Sequence, residues 1–288
     1  MAEQTNIQKP QAPAPQKPKA ATPKNNKDVS TNIGGIKNAS IVILICFIAA
    51  VLIYLFIFGN VANFKDESKA NPINLLGTVY KGGIIVPVLL TCLLTVIVLC
   101  AERWIALSKA AGKGNTTKFV ADVKEALKNK NIAKAEDLCR QHRGTVGAVV
   151  YATLQKYKEM EADTTLQKEQ KLTSIQQTLE EATALEMPTL QQNLPILATL
   201  TTLGTLIGLL GTVLGMIKSF QALSASGAPD STELSTGISE ALVNTAFGIA
   251  TAALALIAYN FYTNKIDNMT YAIDEIGFAT VSTFSATH

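Results

Sequence analysis

Residues 194–217 read LPILATLTTLGTLIGLLGTVLGMI, a stretch with no charged side chain. It is longer than the ~20 apolar residues a helix needs to cross about 30 Å of hydrocarbon. Hydrocarbon offers no partner to open backbone groups, so a spanning segment of this kind must be a helix. Three more runs have the same character: 241–262 (ALVNTAFGIATAALALIAYNFY), 82–101 (GGIIVPVLLTCLLTVIVLCA) and 41–58 (IVILICFIAAVLIYLFIF). Four such runs are more than the rest of a 288-residue chain could cover in water. Charged residues make up 16% of the chain, against about 25% in soluble domains. The fold class expected is therefore an all-α integral membrane protein, with four transmembrane helices and long helical extensions into a cytoplasmic domain.

The first helix is expected over 39–59, the second over 82–103, the third over 194–218 and the fourth over 237–263. Residues 1–38 are rich in Lys, Pro and Gln. They have too few large apolar side chains to offset the entropy of ordering and are expected to be a disordered tail. No cleavable signal is expected, because the first apolar run begins near Ile41. Lysine and arginine placement orients the spans. Lys9, Lys17, Lys19, Lys24, Lys27 and Lys37 precede the first helix, and the segment from Arg103 to Lys171 is also basic. The 219–236 segment holds only Asp230 and Glu233. Both termini and residues 104–193 are thus expected in the cytoplasm, with 219–236 as a periplasmic loop and 264–288 as a C-terminal helix or tail. Lys65, Lys69 and Lys81 pull against this orientation. Trp104 suits an interfacial anchor. Residues 104–193 are too long for a bare loop, and apolar 3,4 spacing predicts helices at 120–127, 133–140, 146–157 and 166–190. Pro188 and Pro195 should interrupt the last of these as it enters the bilayer.

The third and fourth spans differ from the greasy first. Thr201, Thr205, Gly208, Thr212 and Gly215 recur at 4,3,4,3 spacing, so small or hydroxylated residues line one stripe. Gly204 and Gly211 flank it and permit close backbone approach. On the fourth span Glu240, Asn244 and Thr251 share roughly one face, and Thr245, Gly248, Ala252 and Ala255 an adjacent one. For any single glycine, plain helix packing explains as much as a pore does. Glu240 at a boundary could simply snorkel. Asn244 and Thr245 are deeper, where polar groups are costly unless they face protein or water. The two helices thus resemble the wall of a narrow hydrated path, with Thr212, Thr245, Glu240 and Asn244 along it. No aspartate or histidine sits at mid-depth, so a proton carrier there would have to come from another chain.

Other chemistries find little support. His142 lies in a polar segment and His288 is the last residue. Cys46, Cys92 and Cys100 fall in apolar runs, where cysteine acts as a small hydrophobe. No metal site, cofactor or disulfide framework is expected, and the net charge of +3 is no nucleic-acid signal. An intramembrane enzyme would need paired acids, a Ser–His pair or a metal motif at depth; none is present, and no enzyme is expected. A non-conducting scaffold would not require Thr212, Asn244 and Thr245 together.

Two longer motifs carry a resemblance. Residues 208–220 read GLLGTVLGMIKSF, and 237–249 read GISEALVNTAFGI, with AYN at 258–260. They are similar to the pore-helix signatures of the MotA/TolQ/ExbB proton-channel family, and most similar to its ExbB branch. The likeness covers the third and fourth spans, and extends more weakly to Glu102-Arg103 and the cytoplasmic segment. It implies pore threonines at Thr212 and Thr245, and a pore-mouth glutamate at Glu240. It also implies a homopentamer around an ExbD/TolR-type dimer whose single membrane helices carry the titrating aspartate. A TonB-type transducer would take up the force at the bacterial inner membrane; a TolQ-like or gliding-motility load is the alternative. This chain departs from the pattern by lacking prolines at Thr205 and Leu254, by Asn244 where a small residue is common, and by a fourth span beyond the family's three.

Overall fold

The computed structural model describes residues 35, 38–65, 69, 72–225 and 231–287. The expected disordered tail lies almost wholly outside the described residues. Those residues form nine α-helices, with an isolated bridge between Phe64 and Pro72 as the one strand-like pairing among them. Four helical segments are long and apolar enough to cross a membrane: Ala39–Phe58, Ile85–Ala110, Lys168–Gln221 and Leu234–Thr287.

Helix α1 (Ala39–Leu52) shows Ile41, Leu44, Ile45 and Ile48 outward and buries only the narrow strip Val42, Cys46 and Ala50. It packs on α3 through this side. Its end widens into a π-helical turn, Ile53–Phe58. The carbonyls freed there need partners, and the Asn63 amide donates to Ile57 O at 2.7 Å and Phe58 O at 3.1 Å. The described parts of the connection, 59–65 and 72–81, form a folded cap. Asn74 donates to Asn63 Oδ1 at 2.9 Å and caps α2 (Leu75–Lys81). Tyr80 of α2 stacks on Tyr54 with ring centroids 4.7 Å apart. The second span starts later and ends later than the expected 82–103. Gly82 and Gly83 form a turn, Gly83 at φ +72, and α3 then runs Ile85–Ala110.

The helices predicted at 120–127, 133–140 and 146–157 fall within α4 (Thr116–Lys128), α5 (Ile132–His142) and α6 (Gly144–Ala162), and the one predicted at 166–190 is α7 (Lys168–Gln191), which starts two residues later. Asn115 and Asn131 accept backbone N–H bonds at the starts of α4 and α5, which satisfies donors a helix start leaves open. Val123, Leu127, Val149, Leu154 and Ile175 meet in one core with Ile273 and Phe284 of the last helix. Pro188 stays inside α7, and the break comes at Asn193, with φ +63, just before Pro195 in the first turn of α8. Proline is preorganised for that position.

Two further boundaries depart from the sequence reading. The loop expected at 219–236 is helical at both ends, because α8 runs Leu194–Ala225 and α9 starts at Ser231. Polarity suggested a loop, but Gln221, Ala222 and Leu223 are good helix formers. No break separates the fourth span from the expected tail at 264–288: α9 is continuous over Ser231–Thr287. Ile266, Met269, Ile273 and Ile276 are buried at 3,4 spacing, so packing on the helical domain carries the helix on.

Candidate ion pathway

The third and fourth spans meet along a seam of glycines. Gly204, Gly208, Gly211 and Gly215 of α8 are all buried against α9. They face Gly248 and Ala252, then Asn244 and Thr245, and finally Ala241. The contact is backbone on backbone at Gly248: a Cβ there would fall on the Gly204 carbonyl and within 2.8 Å of the Gly208 Cα. Close approach of this kind takes the place of a hydrophobic driving force between membrane helices. The packing stripe is therefore these four glycines, and the threonines read into it stand beside it: Thr201 and Thr212 are half-buried and Thr205 is exposed.

The two helices are antiparallel, and residues advance about 100° around each helix axis. Measured from the seam, Thr201, Thr205 and Thr212 on α8 and Thr245 on α9 all turn to one edge of the pair. Thr245 Oγ1 reaches back to donate to Gly208 O at 3.3 Å, while Thr212 Oγ1 donates to Leu209 O at 2.6 Å. An open groove continues this edge, lined by Thr212, Val213, Met216 and Phe220.

Glu240 and Asn244 turn to the opposite edge. The Asn244 amide donates to Gly82 O at 3.0 Å, and Tyr262 on the same face donates to Cys100 O at 2.6 Å. These bonds place the Glu240–Asn244 face against the α2–α3 turn and α3. Asn244 is 2% exposed, and its Oδ1 has no partner among the described residues. Glu240 is buried and accepts Lys218 Nζ at 3.3 Å. The Tyr54 phenol is near enough to feel the Glu240 charge. The structure thus brings Thr212 and Thr245 together on one edge and Glu240 and Asn244 on the other. Thr251, also on the α3 side, is fully buried and donates to Phe247 O at 2.9 Å.

Sequence reasoning passed over Lys218, although a buried carboxylate demands a cation and Lys218 is the one basic residue between 172 and 264. It also undervalued Arg103, which is fully buried and ion-paired with Glu102. Its Nη1 donates to Leu190 O at 3.4 Å and Thr189 O at 3.5 Å, just where α7 ends. Asn193 donates to Glu102 at 3.4 Å, so the α7–α8 break is tied to α3 through this pair. Trp104 stacks on Phe261 at 6.0 Å with Lys265 above its ring, a girdle where the spans meet the helical domain.

The seam and its two motifs fall inside the stretch, residues 142–275, that matches the sequence model of the MotA/TolQ/ExbB proton channel family. Over this stretch, a little under half of the chain, the sequence is similar to that family. Among its relatives, an ExbB-like biopolymer transport protein of Synechocystis sp. is 37% identical over 92 residues, 31% of this chain and 44% of the relative. The biopolymer transport protein ExbB of Helicobacter pylori is 42% identical over 78 residues, 27% of this chain and 54% of the relative. The Tol-Pal system protein TolQ of Haemophilus influenzae is 40% identical over 75 residues, 26% of this chain and 33% of the relative. The chain thus spans between a third and about half the length of these relatives.

Proposed function

We propose that this chain is the channel-forming stator subunit of an ExbB-type complex, multi-pass in the bacterial inner membrane with both termini in the cytoplasm. Proton flow past Thr212 and Thr245 drives the work. Five copies surround a dimer of ExbD/TolR-type single helices, whose membrane aspartate supplies the titrating group. A TonB-type transducer carries the force to transporters of the outer membrane. The observation that carries this reading is the glycine-seamed α8–α9 pair, with hydroxyls from both motifs on one edge. Hydroxyls at that depth are costly against lipid but suit a hydrated wall.

Thr245→Val keeps the side chain's size and removes its hydroxyl. In cells whose only copy carries it, membrane level and partner co-purification should stay normal, while uptake of a TonB-dependent cargo such as vitamin B12 fails. Normal uptake with normal levels would refute the TonB load or the threonine path. TolQ relatives of similar identity favour one second reading, an envelope-constriction load on the same channel. In that case Thr245→Val cells import normally but become sensitive to detergent.

A further inference from the structure

The edge opposite the threonines carries an ion pair of unequal halves. The Glu240 side chain is 10% exposed and its partner Lys218 is 71% exposed, with Nζ 3.3 Å from the carboxylate. Glu240 is held in place: α9 is packed by Ala241 against Gly215, and Asn244, one turn deeper, is bonded to Gly82. Lys218 has no second ion-pair or hydrogen-bond partner among the described residues, and most of its side chain is exposed. Among the described residues, the charged group paired with this carboxylate is Lys218 of α8, and the neutral phenol of Tyr54 approaches it from the π-helical turn. Behind Tyr54 stands Tyr80 of α2, with Lys69 over its ring at 5.2 Å. A buried carboxylate cannot stay charged without a cation beside it. The half of a pair that keeps its hydration is the half that exchanges cheaply.

We propose that Lys218 is the resident counter-ion of Glu240: a tethered cation that a mobile monovalent cation, hydronium or sodium, must displace to reach that carboxylate. Lys218 acts through Glu240 and is a positioning residue. This rests on the channel reading above. The pair sits on the capped edge, so the tether controls access from the side of the 59–84 cap and leaves the threonine edge untouched.

The test uses the full chain with its co-purifying membrane partner in liposomes. An imposed potential drives proton entry, and lumenal pH is read with a dye. Lys218→Met keeps the stem and removes the charge. It should raise the leak about two- to fivefold, the population change expected on losing a half-exposed ion pair. Lys218→Arg should restore the wild-type leak, which a merely steric role for the stem would not predict, because Met already fills that space. Lys218→Met combined with Glu240→Gln should leak no more than Glu240→Gln alone. A Lys218→Met complex present at normal level with a wild-type leak would overturn the proposal. So would a double variant that leaks as much as Lys218→Met. If the wild type conducts nothing, or if Thr245→Val and Glu240→Gln both conduct like wild type, the channel reading itself fails.

Discussion

Replacing Gly248 by alanine tests the glycine seam most directly. The added Cβ would lie 2.8 Å from the Gly208 Cα and 3.2 Å from the Gly208 nitrogen, and would fall on the Gly204 carbonyl. Nonbonded carbons rest at about 3.5–4.0 Å, so the two backbones must part by about 1 Å. No side chain can swing away, because every obstructing atom is backbone. Overpacking of this kind costs about 1–3 kcal/mol, toward the upper end for backbone. The gain in helix propensity from Gly to Ala returns up to about 1 kcal/mol. A net loss of about 1–2 kcal/mol remains. Gly277→Ala is the matched control on the same helix, because there the Cβ meets only the flexible tip of Leu179. The readout is the temperature at which the detergent-purified protein loses its monodisperse size-exclusion peak. Gly248→Ala should lose it several degrees below wild type, and Gly277→Ala close to wild type. A Gly248→Ala protein as heat-stable as the wild type would refute the close-contact seam.

Truncating Arg103 to alanine takes the guanidinium away from the Glu102 carboxylate and from two carbonyls at the end of α7. Breaking a buried pair this way costs about 3–5 kcal/mol, so Arg103→Ala should be nearly absent from membranes by immunoblot, and Lys124→Ala, an exposed partner of Glu275, should not. Burial first, then the nearby Glu136 charge, pushes the Cys139 thiol up from 9.0 to about 12. The unfolded chain therefore sheds this proton near pH 9 while the folded chain keeps it, and stability falls as pH rises from there toward 12. Between pH 8 and 10 the wild type should lose about 1 kcal/mol more than Cys139→Ala does, measured by denaturant unfolding in detergent. Burial lowers the His142 imidazole below its usual range, against the opposing pull of the Arg143 carbonyl. The neutral ring, tilted by 32° against Phe119 with centroids 4.1 Å apart, is the form the fold holds. Its contribution is present above the unfolded value and is lost as pH falls through it, so thermal stability should drop on acidification from pH 7.5 to 5.5. His142→Phe should flatten that dependence; an unchanged slope would refute it.

The four spans were legible because hydrocarbon permits one backbone solution, and the α4–α7 helices because their apolar residues recur at 3,4 spacing. The pairing of Thr212 with Thr245 followed from motif likeness. What stayed hidden depends on how helices rotate against one another. Periodicity put Thr201, Thr205 and Thr212 in one stripe with Gly208 and Gly215. Contact then chose Gly204, Gly208, Gly211 and Gly215 and turned the threonines aside, because glycines let backbones touch and a threonine Cβ would hold them apart. Glu240 and Asn244 were correctly put on one face, but nothing in a single helix says that this face meets Gly82. The 59–81 cap was missed because it is held by side-chain bonds of Asn63 and Asn74, which leave no periodic trace. Lys218 was missed because its partner lies across a helix–helix contact.

The rotation of α8 and α9 also constrains how an ion could use them. Glu240 and Thr245 are only five residues apart, yet the glycine seam stands between them, with backbones too close for a water to pass. No continuous route from the carboxylate to the hydroxyls can run through the middle of the pair. An ion that visits both must go round the cap-side end of the helices, or pass between this chain and a neighbour. The first route leads past Lys218 and the open groove at Met216 and Phe220. The second needs another polar wall facing Thr212 and Thr245, which lie beside exposed Leu209, Val213 and Leu242. An aspartate-bearing helix on the threonine edge would complete that wall and exclude lipid from it. On the channel reading proposed above, the acid and hydroxyl edges would be sequential stations rather than two sides of one pore. Substitutions at Lys218 should therefore change how readily cations arrive, and substitutions at Thr245 should change whether their passage does work.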